Sequence, residues 1–98
     1  LNKSNTFNLI KGTFSIEQAK DLLTDLYSSK LKYHTLCAWK HEERYATKSD
    51  YHTARINQLK MERDQVIQFL ENLNVGGQLT IESSIQISFQ ENNSKKWT

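Results

Sequence analysis

From Ile16 to Leu73 the chain runs without a proline, and its apolar side chains recur three and four positions apart. No other stretch restricts the possible folds as tightly. A strand needs a period of two and a buried globule needs breakers, whereas this period of about 3.6 demands helix. On the first half of the stretch, Ile16, Ala19, Leu22, Leu23, Leu26, Tyr27 and, further on, Tyr33, Cys37, Ala38 and Tyr45 fall on one half of a helical circumference. Glu17, Asp21, Asp25, Ser28, Lys32, Glu42 and Glu43 occupy the other half. Ser15 and Gln18 have the spacing of a capping box, Phe14 and Ala19 that of a hydrophobic staple, and Glu17 suits the positive end of the dipole. A helix over residues 16–45 is predicted.

Ala46–Ser49 is too polar to continue that face and reads as a turn, with Thr47 or Ser49 capping a second helix over 49–73. His52, Ile56, Leu59, Arg63, Val66, Leu70 and Leu73 then form a heptad-like seam. Asn74 or Gly76 is the expected left-handed residue ending it.

Strands are predicted on either side. Residues 6–14 form the first, with Phe7 and Leu9 on one face and a bulge or bend near Gly12. The second, 78–90, alternates cleanly: Leu79, Ile81, Ile85, Ile87 and Phe89 at odd positions, polar residues at even ones. Such alternation predicts one buried and one wet face. The tail 91–98, with Trp97, is expected to be mobile. The fold class is therefore α+β in the order β-α-α-β, an antiparallel helical hairpin packed on a two-stranded antiparallel sheet, within one domain of 98 residues. The hairpin tip is expected to project past the sheet, because thirty helical residues span about 45 Å. Two strands alone are marginal and leave open edges. Edge pairing in a homodimer, giving four strands, is the expected remedy.

Composition narrows the function classes. A net charge of +2 does not by itself imply nucleic acid. The one cysteine, Cys37, cannot form an intrachain disulfide and fits a reducing compartment. No apolar run approaches the ~18 residues of a membrane span, and no signal peptide is visible. A cytoplasmic protein without membrane attachment or cofactor is expected.

Three constellations are candidates for function. His34, Cys37 and His41 lie on one side of the first helix, and mirror symmetry about the turn brings His52 near the level of His41 to Glu43. Histidine and cysteine are zinc ligands, and clustered histidines also repel once charged. The bland alternative is packing, with Cys37 as a small hydrophobe. Second, Lys30 and Arg63 both fall on inward faces at similar levels. Two such cations either snorkel toward Asp25, Glu62 or Asp64 or hold a small anion between them. Third, Leu36 and Trp39 are helical neighbours on a face otherwise polar, a candidate partner-binding patch unless the chain ends cover it.

From Lys30 to Arg63 there are eight Lys or Arg against four Asp or Glu, with Tyr33, Trp39, Tyr45 and Tyr51 among them. That composition suits a nucleic-acid surface, but the interleaved acids equally suit a solvated helix face. No Gly-rich phosphate loop is present; Gly76-Gly77 follows a helix and precedes a strand. Cys37 beside a histidine is the one thiol–base arrangement available for catalysis. The reading that results is a small non-catalytic interaction or scaffold module that self-associates. A nucleic-acid-binding protein using the basic tip, or a metal- or pH-responsive module on His34, Cys37, His41 and His52, are the alternatives.

Overall fold

A computed structural model describes residues 2–73 and 76–91. The element order is β1 (Asn2–Phe14), α1 (Ile16–Tyr45), α2 (Asp50–Glu71) and β2 (Leu79–Gln90). The two strands form one antiparallel sheet, and the chain is α+β in the order β-α-α-β. It divides into two compact units, the paired strands (Leu1–Thr13 with Thr80–Thr98) and the helical hairpin (Phe14–Leu79).

In the hairpin unit, the start of α1 is built as its sequence dictates. The Ser15 hydroxyl accepts from the Gln18 amide at 3.1 Å, and the Gln18 carboxamide accepts from the Ser15 amide at 3.0 Å. Two amides with no partner inside the helix are thus satisfied reciprocally. Ser49, 8% exposed, caps α2 by accepting from the His52 amide at 3.3 Å.

The ends of the helices differ from expectation. Gly76 does not have positive φ, and Asn74 lies outside the described residues. Helix α2 stops at Glu71, where Asn72 keeps a right-handed conformation and the Leu73 amide donates to the Leu70 carbonyl at 3.2 Å, tightening the last turn. The left-handed residue sits instead at the end of α1: Ala46, at φ 56 and ψ 27, with its amide donating to the Glu42 carbonyl. Alanine gives no sequence signal for this conformation, because its Cβ opposes it.

The strand β1 begins at Asn2, four residues before the apolar pattern starts. Asn2-Lys-Ser-Asn5 has little strand propensity of its own. Backbone pairing with a 12-residue partner strand overrides that weak local preference.

The core is thin. Ala19, His34, Leu59 and Leu70 are the buried side chains on the two helices, and no large side chain among the described residues is fully buried. Among the described residues of the strand unit only Ile10 is buried, at 8% exposure. Most of the odd-numbered apolar row predicted to face a core does not: Leu79 and Ile81 are half-buried, but Phe7, Leu9, Ile85, Ile87 and Phe89 are between 42% and 59% exposed. Alternation places these side chains on a common face but supplies nothing to cover them. Of the predicted tail, 91–98, residues 92–98 with Trp97 lie outside the described residues.

Candidate functional site

Three polar contacts join the two arms of the hairpin and a fourth ties α1 to the turn, and on α1 they fall at Lys20, Tyr27, His34 and His41. Those positions are seven apart, two helical turns, so they rise along one edge of the helix in steps of about 10 Å. Lys20 Nζ lies 3.5 Å from Glu71 Oε2. The Tyr27 hydroxyl donates to Glu62 Oε1 at 3.0 Å. His34 Nδ1 and His52 Nδ1 stand 2.8 Å apart. His41 Nδ1 donates to the Thr47 carbonyl at 3.0 Å. This ladder explains why the apolar core is so small: part of the seam is polar.

The third rung is the most enclosed. His34 is 5% exposed and His52 half-buried. The rings of Tyr33 and Tyr51 meet His34 edge-on, with centroids 5.1 and 6.1 Å away, and Tyr51 also meets His52 edge-on at 4.9 Å. Burial holds the His34 imidazole below the usual histidine range, with further lowering by His52, Arg55 and Lys30. On the second rung, burial and then the Glu62 carboxylate raise the Tyr27 phenol.

The hairpin register differs from mirror symmetry about residue 47 or 48. His52 meets His34, not the stretch from His41 to Glu43. The reason lies in the connection. After the left-handed turn at Ala46 the chain doubles back, so that Thr47 is already beside His41, about one turn before the end of α1. Helix α2 therefore begins lower on α1 than a turn placed beyond its end would allow.

Of the other predicted residues, Cys37 is half-buried and forms no disulfide. A hydrogen bond between Cys37 and Tyr33, one turn away, is the main influence raising the Tyr33 phenol; charge on the thiol, burial and Tyr51 add to it. Among the described residues no three His, Cys, Asp or Glu side chains converge as a metal-holding group. His41 is occupied in closing the turn.

Lys30 and Arg63 are not brought to one level. The Tyr27–Glu62 and His34–His52 rungs place Lys30 opposite the stretch between His52 and Glu62, with Arg63 beyond it. Lys30 is exposed, and Arg63 folds onto its neighbour, with Nε and Nη2 both 3.1 Å from Asp64 Oδ1. Leu36 and Trp39 are exposed together on α1, at 50% and 57%. Tyr33, Tyr45 and Tyr51 are likewise exposed, and Arg44 lies 5.9 Å from the centre of the Tyr45 ring.

The strand unit carries a different kind of candidate. Phe7, Ile87 and Phe89, with Lys3, Ser4 and Asn5, line one shallow recess, so the apolar residues of both strands share a face. The seven-residue spacing of Lys20, Tyr27, His34 and His41 was available in the sequence. Reading each residue as core or surface concealed that all four share one edge of the helix. No helix among the described residues is long and apolar enough to cross a membrane. Comparison with known protein families, curated proteins and solved structures gives no match.

Proposed function

We propose that this chain is a non-catalytic protein-interaction module whose first partner is a second copy of itself, joined through the two-stranded sheet. The observation that carries this reading is the row of Phe7, Leu9, Ile85, Ile87 and Phe89, all large, apolar and 42–59% exposed. At about 100 Å² of exposed surface each, they form a patch of roughly 500 Å², near the upper end for a stable monomer. A twofold contact would bury about 1,000 Å² in total, where specific interfaces begin. Two strands alone are also marginal, and a second copy supplies the covering layer that their apolar face lacks.

The disposition of the reactive side chains supports the non-catalytic part. The side chains of His34 and His41 are committed to His52 and Thr47. Leu36 and Trp39 supply a second exposed apolar surface, for a different protein partner.

Sedimentation velocity from about 1 to 100 μM tests the reading. The mass should rise toward twice that of the chain within this range, which brackets ordinary dimer constants. Ile87→Glu should hold the protein monomeric and folded. A parent chain that stays strictly monomeric at the highest concentration would refute the proposal.

A further inference from the structure

We propose that the His34–His52 contact is a proton-sensitive latch on the turn-proximal half of the hairpin, closed while the two rings share no more than one added proton and released when both are charged. The argument starts from the contact atoms. Two Nδ1 atoms at 2.8 Å are within hydrogen-bond distance only if one carries hydrogen and the other presents its lone pair. With both rings neutral, one must be the Nδ1–H tautomer and the other the Nε2–H tautomer. One added proton is tolerated, because an imidazolium can donate from Nδ1 to its neutral neighbour. A second added proton puts N–H against N–H, and no acceptor remains between two like charges.

None of the groups acting on His34 among the described residues offsets that charge. On α1 the groups acting on His34 are Lys30 and Tyr33, and on α2 they are Tyr51, His52 and Arg55. These are cationic or neutral at pH 7, and no carboxylate is among them. The remaining rungs are built differently. Lys20–Glu71 and Tyr27–Glu62 each pair a donor with a carboxylate. His41 donates from Nδ1 to a carbonyl, which an imidazolium does as well as a neutral ring. Of these four rungs, the His34–His52 one alone loses its acceptor when its rings gain protons.

The direction follows from proton linkage. The folded chain holds the His34 imidazole below its ordinary value of about 6.5. Between that value and the lower folded one, the unfolded chain binds more protons. The hairpin is therefore most stable above pH 6.5 and loses stability as the pH falls from there through the folded value. This latch is independent of the sheet contact proposed above, because it lies wholly within the hairpin.

The experiment follows the thermal midpoint of the full-length chain by helical circular dichroism from pH 8 to 5, at a concentration where sedimentation gives one mass throughout. The midpoint should be flat above pH 7 and fall by about 5 °C between pH 6.5 and 5, the scale for a loss of this kind in a chain of this size. His52→Gln, which can still accept from an imidazolium at position 34, should remove at least half of the fall, and His41→Gln should leave it intact. Imidazole NMR titration of the unsubstituted chain supplies a readout that does not require either variant to fold. A His34 step below 6.5 is expected. A His34 step at or above 6.5, or a midpoint that does not move with pH, would overturn the proposal.

Discussion

The hairpin and the strand pair solve the problem of burying apolar side chains in opposite ways. Each helix satisfies its own backbone and presents its stripe to the other, so Ala19, Leu59 and Leu70 are covered within one unit. The strands satisfy only one edge each, and their apolar row of Phe7, Leu9, Ile85, Ile87 and Phe89 is left facing outward. Periodicity alone therefore identifies an apolar face but not its cover. A helix face can be covered by its neighbour in the chain, while a two-stranded sheet always needs a third layer.

The largest expected effect separates the two units directly. Leu59→Ala should cost about 2–5 kcal/mol of unfolding free energy, a large share of what a small chain has. Ile87→Ala, in dilute solution where the chain is monomeric, should cost well under half of that, since the parent side chain is already 55% exposed. Urea denaturation of both variants measures the contrast; equal losses would show that the sheet face is core after all. A smaller effect of opposite sign is expected at the turn. Ala46→Gly should stabilise by about 1 kcal/mol, because glycine adopts the left-handed conformation without the Cβ penalty. A denaturation midpoint that moved down would argue against the doubled-back connection on which the hairpin register depends. The smallest effect belongs to the first rung. Lys20→Ala should change stability by no more than about 0.5 kcal/mol, because both partners are partly solvated, with side chains 31% and 57% exposed. A larger loss would mean that the polar ladder, rather than Leu59 and Leu70, holds the arms together.

Much of the candidate site was legible residue by residue and not as a pair. His34 and His52 were both visible as polar intrusions on apolar stripes, yet their meeting depends on how far the connection doubles back. The bend at Ala46 has no glycine or asparagine to announce it. Lys30 and Arg63 suffered the same error of register, and Arg63 found its acid at the next residue, Asp64.

By itself the sequence determined the order of elements, the capping of α1 by Ser15 and Gln18, and a cap for α2 at either Thr47 or Ser49. These are local properties, set by hydrogen-bond reach and repeat length within a few residues. The tertiary structure alone decided which levels of α1 and α2 face each other, and hence that two histidines touch. It also decided that the apolar row on the strands lies open. Both depend on contacts between residues distant in the chain, and a difference of one turn at Ala46–Ser49 shifts every such contact together.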